Sequence, residues 1–600
     1  MAIYVLGKRL RPIRLLLCVL AVFVPLYVVR KTYNISKSLD FKVDEEGFVQ
    51  FSKHEEQSGG QLRGVGVSDE SGDISPEFLH LLDQKTSGCP NYVDYSQVRH
   101  PPFSKGKHSY PYMRPAPKCR TFTSKAVETI IEDLKSKVED EDLGRLIENC
   151  LPNTLDTTIL WHRPSSKSNS PSDPQSFVVT GDIHAEWLRD AARQLSVYQP
   201  FVKYDDKLRD LIKGAINTQA FYINQSPYCN AFHPPPGSGV KRGDSAKDKV
   251  LPPVNWRYVF ECKYELDSLA SFLTLSNEYY ANSGHDTSFI NDAWLSAYKR
   301  VLVVLQRESS PTFDGETGAV LPFRYIFLRD TTIASETLPL GGSGNPAKFG
   351  VGMVRSAFRP SDDACNLQFF VPANAHILTE LRNARAAYLN KDTIKDPNMD
   401  VVLEITDEFI NAISKGINEY GIVNHPKWGK VYAYEVDGYG SAIHMDDANV
   451  PSLLSLPDLG FIPRTDEVYQ NTRKMILSFE GNPFYLKGSA FEGIGGPHVG
   501  IFNAWPLSSL LRIRTSDDDN EILQNLKLVM ETTGGLGLMH ETVQVNSKGG
   551  FTYTRPWYAW CNSEFGKTIL DIAKRKPHLI FKEKFKHSSY DIDTVLSRIN

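Results

Sequence analysis

The chain has 600 residues, a formal net charge of −4, and 41% hydrophobic and 11% aromatic content. This is ordinary globular composition with material for a large core. The near-neutral charge leaves no basic footprint for nucleic acid.

The N-terminus carries a targeting pattern. Lys8, Arg9, Arg11 and Arg14 precede an apolar run from Leu15 to Val29, closed by Arg30 and Lys31. The run is short for a span, and no small-x-small cleavage site follows it. The stronger basic cluster comes first, so the positive-inside rule predicts a cytosolic tail (1–14) and a transmembrane signal anchor (15–29). The remainder would face the lumen of the Golgi or endoplasmic reticulum as a single-pass type II protein. A cleaved signal peptide and secretion is the alternative. A short span suits a thin early-secretory membrane. Residues 30–87 are polar and rich in Gly and Ser, and read as a flexible stem. A globular domain is expected over 88–600.

Cys18 lies in the apolar run. Cys89, Cys119, Cys150, Cys229, Cys262, Cys365 and Cys561 would meet an oxidising lumen; their number is odd, so at least one stays free or pairs between chains. No C-x-x-C spacing occurs, which argues against a structural zinc site. Asn34-Ile-Ser and Asn224-Gln-Ser are glycosylation sequons, the second followed by Pro227.

Within the domain the repeating pattern is helical. Val127, Ile130, Ile131, Leu134 and Val138 lie on one helix face, as do Ile290, Ala293, Trp294, Ala297, Val301, Val304 and Leu305. Val402, Ile405, Phe409, Ile410, Ile413 and Ile417 make a third face. Strand alternation is confined to short pieces such as Lys430–Glu435 and Phe551–Tyr553. Pro164–Ser176 and Pro234–Lys249 read as surface loops, and Gly341–Asn345 as a tight turn near the cleft. An all-α domain follows.

Polar, acid-bearing motifs recur at expected helix entries. They are Gly181-Asp-Ile-His-Ala-Glu-Trp-Leu-Arg-Asp190, Glu261-Cys-Lys-Tyr-Glu-Leu-Asp-Ser268, Arg359-Pro-Ser-Asp-Asp363, His444-Met-Asp-Asp-Ala-Asn449, Gly493-Ile-Gly-Gly-Pro-His498 and His540-Glu541. A ring of helical hairpins, each sending one loop to a common face, would place them so. Asp182, Asp362 and Asp446 also read as helix N-caps. A cap needs one acid, however, and Asp362-Asp363 and Asp446-Asp447 are doubled. Adjacent carboxylates raise one another's pKa, one way to keep an acid protonated. Arg189-Asp190 suits an ion pair, and Trp187 suits core. Together they also suit a sugar subsite, with an indole under the ring and charges on its hydroxyls. Thr554-Arg-Pro-Trp-Tyr-Ala-Trp560, with Arg555 and Trp557, offers the same mixture. His184, His444, His498 and His540 raise a metal site, but none has the spacing that sets two ligands on one helix face. Neither metal nor cofactor is expected. No G-x-S-x-G elbow occurs.

Jointly and in this order, these motifs resemble glycoside hydrolase family 125, the metal-independent exo-α-1,6-mannosidases, across roughly residues 90 to 575. The anchor gives the chain the look of a fungal-type member. The resemblance implies an (α/α)6 barrel with minor β-hairpins, an inverting mechanism and α-mannose-containing glycans as substrate. It places the general acid at Asp362 or Asp363 and the general base at Glu541. Analogy with other inverting helical barrels points to Asp362. Asp182, Trp187, Arg189, Asp190, Glu265, Arg359, His444, Asp446, Asp447, His498, Arg555 and Trp557 would form the sugar site. A calcium-dependent α-mannosidase of another helical-barrel family, and a catalytically silent glycan-binding protein, are the competing readings.

Overall fold

A computed structural model describes residues 4–5, 8–9, 88–165 and 174–598. The anchor, the stem, Cys18, Asn34 and positions 166–173 of the first loop lie outside these residues. Among the described residues no helix is long and apolar enough to cross a membrane. The chain divides into two units. In residues 1–61 with 396–398 the described strands are Tyr4–Val5 and Lys8–Arg9, paired antiparallel. The second unit, residues 62–395 with 399–600, contains the site.

Twelve helices of nine residues or more are described. In chain order they are α1 (Lys125–Lys137), α2 (Glu141–Cys150), α3 (Leu188–Ser196), α4 (Asp206–Gln225), α5 (Leu266–Asn282) and α6 (Asp292–Glu308), then α7 (Val371–Ala387), α8 (Met399–Gly416), α9 (Glu467–Ile476), α10 (Pro506–Arg514), α11 (Asp519–Met530) and α12 (Ala559–Arg575). The three apolar faces read from sequence fall on α1, α6 and α8.

Packing sorts them into two layers. Helix α3 packs on α5 and α12, α5 on α7, and α12 on α10. A turn segment, Ser452–Gly460, closes the remaining gap: Gly460 approaches Thr379 of α7, and Asp458 bonds Arg514 of α10. Helix α4 lies over α3 and α5, α6 packs on α4 and reaches α5 through Trp294 Nε1, which donates to Ser276 at 3.0 Å, and α8, α11 and α2 back α7, α10 and α12. Helix α9 lies outside the turn segment, with Tyr469 Oη donating to the Leu454 carbonyl at 2.9 Å. Inner helices are buried on nearly every side because both of their faces are covered, α3 throughout its length, and the outer helices carry one apolar stripe.

The two layers start differently. Outer helices begin on Ser124, Asp140, Asp205, Asn291, Asp466 and Asp518, each accepting from a backbone N–H of its own first turn. Inner helices begin on Trp187, Glu265, Phe370, Trp505 and Tyr558, with no side-chain cap. Their entries are instead fixed by short sheets: Glu186–Trp187 with Ala231–Phe232 and Val259–Glu261, Phe369–Phe370 with Glu435–Val436 and Ala442–Ile443, and Asn503–Ala504 with Val543–Gln544. The uncapped inner N-termini carry Arg189, Asp190, Glu265 and Asp267, whereas Asp362, Asp363, Asp446, Asp447 and Glu541 lie in the loops between elements.

Deep in the ring, Arg193 of α3 and Arg514 of α10 share Asp458 and Glu564 of α12, at 2.6–3.1 Å. Arg193, Arg514 and Glu564 are buried, Asp458 is nearly so, and each charge is paired, which is the condition for tolerating burial.

The loop expectations are refined. Gln175–Val178 pairs with Ile159–Arg163, so the first loop is the turn of a hairpin. The second loop ends in a buried residue, Asp248, which binds Arg329 through both carboxylate oxygens at 2.7 and 2.8 Å. Cys89–Cys119 and Cys229–Cys262 are disulfides; Cys150, Cys365 and Cys561 are free and buried.

Candidate active site

Asp362 sits in a tight turn with φ 67°, a left-handed conformation uncommon for an L residue. Its N–H donates to the Arg359 carbonyl at 2.9 Å, and Arg359 N–H returns to the Asp363 carbonyl at 2.8 Å. The turn splits the two acids. The Asp362 side chain keeps 23% exposure, whereas that of Asp363 keeps 1%. Asp363 Oδ2 accepts from Ser361 Oγ at 3.3 Å, and Oδ1 lies 3.8 Å from His498 Nδ1.

Around Asp362 stand Arg189, whose Nη2 is 3.6 Å from Oδ1, Asn230, whose Nδ2 donates at 3.3 Å, and Lys263, whose Nζ donates to the main-chain carbonyl at 2.8 Å. Burial pushes the Asp362 carboxyl up, but Arg189 and Lys263 outweigh it and hold it below the ordinary carboxylate range. Its hydrogen-bonded neighbour Glu265 is driven the other way, well above that range, by burial first and then by Asp362 and Asp267. The pair thus carries one proton at neutral pH.

The other acid near His498 is Glu541, whose Oε2 accepts from Thr554 Oγ1 at 2.7 Å and lies 3.3 Å from Arg555 Nε. Arg555 Nη1 also donates to Asp182. His498 feels these acids. Burial lowers its pKa, yet Asp363, Asp362 and Glu541 together push it up to about 9, so it is a cation at neutral pH.

The exposed faces belong to Asp182 (35%), His498 (30%), Arg555 (29%), Asp362 (23%) and Glu541 (14%). Several residues expected at the sugar stand behind them. Arg189 is buried, with Nη1 donating to Glu265 at 2.6 Å and Nη2 3.2 Å from Asp190. Asp190 accepts from Tyr558 Oη at 3.1 Å and is raised to about 6 by burial, against the pull of Arg189. Asp447 is buried and raised, first by burial and then by Asp363. A Cβ at Gly496 would stand 2.9 Å from its carboxylate, which explains a glycine there.

Five residues expected at the sugar have protein partners here. Asp446 is buried, and its two oxygens accept from the N–H groups of Leu453 and Leu454 at 2.8 and 2.9 Å, so it caps the ring's turn segment. Arg359 is buried, with Nε donating to Glu435 at 2.6 Å over the Tyr434 ring. Trp187 and Trp557 are 9% and 3% exposed; the first packs edge-on to Phe260 and the second to Tyr92, so neither offers an open face. His444 stands edge-on to His425, with ring centroids 5.1 Å apart.

Sequence reasoning passed over Asn230, Lys263 and Glu336. Lys263 bonds Glu336 at 3.1 Å, and Glu336 joins Arg329 at 2.6 Å and lies 3.9 Å from His498. The one available signal was Lys263 itself, a lone cation opening an acid-rich helix entry. Among the described residues no cluster of His, Cys, Asp and Glu has the arrangement to hold a metal ion.

The sequence matches the metal-independent alpha-mannosidase family, GH125, over residues 140–570. The meiotically up-regulated gene 157 protein of Schizosaccharomyces pombe is 53% identical over 506 residues, covering 84% of this chain and 96% of the relative. A solved Streptococcus pneumoniae structure aligns with a TM-score of 0.66 at 30% identity, over 75% of this chain and 99% of its own. It is described as one of a family of metal-independent alpha mannosidases, in a non-productive complex with alpha-1,6-mannobiose.

Proposed function

Because this chain belongs to the metal-independent α-mannosidases of glycoside hydrolase family 125, we propose that it is an inverting exo-α-1,6-mannosidase acting on mannose-bearing glycans of the secretory pathway. The observation that carries the assignment of roles is the split acid pair: Asp362 reaches the site, and Asp363 is tied to Ser361 and His498.

Inversion needs a protonated carboxyl on the leaving oxygen and a carboxylate across the sugar, roughly 6.5–9.5 Å away, with one water between. The proton that Glu265 holds toward Asp362 passes to Asp362 and from it to the glycosidic oxygen, which departs as a hydroxyl. Glu541, oriented by Thr554 and Arg555, takes a proton from the water that attacks C1. The C1–O bond breaks and the sugar leaves as β-mannose. The buried carboxylates of Asp190 and Asp267 give the site a negative background that favours the cationic character of the sugar in the transition state. Asp182, Arg555 and His498 have the exposure to meet sugar hydroxyls.

The α-1,6 preference rests on the family and on the mannobiose named for the Streptococcus pneumoniae relative. The lumenal reading is supported by two disulfides, which persist in oxidising compartments; the anchor rests on the N-terminal charge pattern. The linkage test is a panel of α-1,2-, α-1,3- and α-1,6-mannobioses. Free mannose should appear fastest from the 1,6 isomer. Equal rates on all three would remove the linkage assignment, and binding without turnover would favour the silent glycan-binding reading.

A further inference from the structure

We infer that Asn230 and Lys263, braced by the Cys229–Cys262 disulfide, are positioning residues that hold Asp362 in its left-handed turn with its carboxyl in the site. The inference rests on Asp362 being the general acid.

Two of the clasp's contacts reach Asp362 itself. The Lys263 ammonium donates to its carbonyl at 2.8 Å, so its hydrogen bond holds the backbone of the strained residue while its charge acts on the carboxylate. The Asn230 amide spans the acids: Nδ2 donates to Glu265 Oε1 and Glu261 Oε2, both at 3.1 Å, and to Asp362 Oδ1 at 3.3 Å. The two residues hold each other, since Lys263 N–H donates to Asn230 Oδ1 at 3.0 Å. Both are buried.

The disulfide joins the residues immediately before each of them, Cys229 and Cys262, and is itself buried. Next to it, Ala231 pairs with Glu261 in the short sheet that fixes the entries of α3 and α5. A non-glycine residue with positive φ costs on the order of 1–3 kcal/mol and persists only where its surroundings over-determine it. The clasp supplies that constraint. Without it the turn relaxes, and the carboxyl moves away from the leaving oxygen.

The test compares two substrates in full-length variants: α-1,6-mannobiose, whose leaving oxygen needs a proton, and α-mannosyl fluoride, whose leaving group does not. The readout is the ratio of kcat/KM on mannobiose to kcat/KM on fluoride. Misfolded molecules lower both rates equally, so this ratio is independent of the folded fraction. Asn230→Ala and the double variant Cys229→Ser/Cys262→Ser should lower the ratio about 100-fold, the cost of displacing a catalytic group by about 1 Å. Lys263→Met should do the same, and Lys263→Arg, which keeps a donor, should restore part of it. Cys89→Ser/Cys119→Ser, which removes the other disulfide, should leave the ratio unchanged. If Asp362→Asn lowers the ratio and the clasp variants do not, the inference is overturned and the acid assignment stands. If Asp362→Asn leaves the ratio unchanged, both are overturned.

Discussion

At the scale of single residues, the site works by dividing labour between neighbours of the same chemistry. Asp362 and Asp363 differ in one backbone torsion region, and that difference sends one carboxyl into the site and the other toward Ser361 and His498. Asn visits the left-handed region more readily than most residues, so Asp362→Asn should keep the turn while removing the acid. Glu541→Gln should likewise keep the shape of the base. Each should lower turnover of α-1,6-mannobiose by roughly 100- to 10,000-fold, the range for general acid–base groups. On α-mannosyl fluoride the Asp362 variant should recover much of its rate, because its proton is no longer needed. The Glu541 variant should stay slow, because water must still be activated. Near-normal turnover of mannobiose by both variants would place the chemistry elsewhere.

At the scale of elements, the contrast between capped outer helices and uncapped inner ones separates stability from function. Asp205 caps α4 through Lys207 and Leu208, and also accepts from Ser124, the cap of α1, at 2.6 Å. Asp205→Ala should cost about 1–2 kcal/mol and leave kcat unchanged, as read from denaturant unfolding beside a standard assay. A fall in kcat without a loss of stability would tie the outer layer to catalysis. The same contrast explains what the sequence disclosed. Helices with one apolar stripe, such as α1 and α6, announce themselves by period. Ile290 shares the apolar pattern of α6 but lies two residues before its first residue, Asp292, because Asn291 caps the helix. Phe551–Tyr553 formed no named strand, only a bridge from Tyr553 to Val543. The acids of the site were legible because they cluster in short polar motifs. Their roles were not, because the deciding partners are distant in sequence: Glu435 for Arg359 and the Asn230 amide for Glu265. A buried Asn carries no signature of its own.

At the scale of the whole molecule, buried carboxyls set how stability responds to pH. Burial raises Glu186 and Asp446 to about 8 and Glu380 to about 7, and drives Glu265 well above its ordinary range. In the unfolded chain such groups ionise near pH 4, so the folded state holds more protons up to about pH 8. Stability from these groups therefore falls as pH rises. His498, raised to about 9, acts in the same direction above pH 6.5. His376 and His540, lowered by burial to about 3 and about 4, oppose this only while unfolded histidine is charged, below about pH 6.5. The Asp458 and Glu564 carboxylates favour burial-raised values, but their arginines outweigh this and hold both low, so their contribution is lost only in acid. Melting temperature should decline from pH 6.5 to 8; a rise across that window would contradict these assignments. At this scale we propose inverting hydrolysis within the ring of helices, with Asp362 as the acid and Glu541 as the base. Its most direct test is proton NMR of the full-length protein with α-1,6-mannobiose, following the anomer released before mutarotation. The account predicts that β-mannose appears first; α-mannose appearing first, or no free mannose at all, would contradict it.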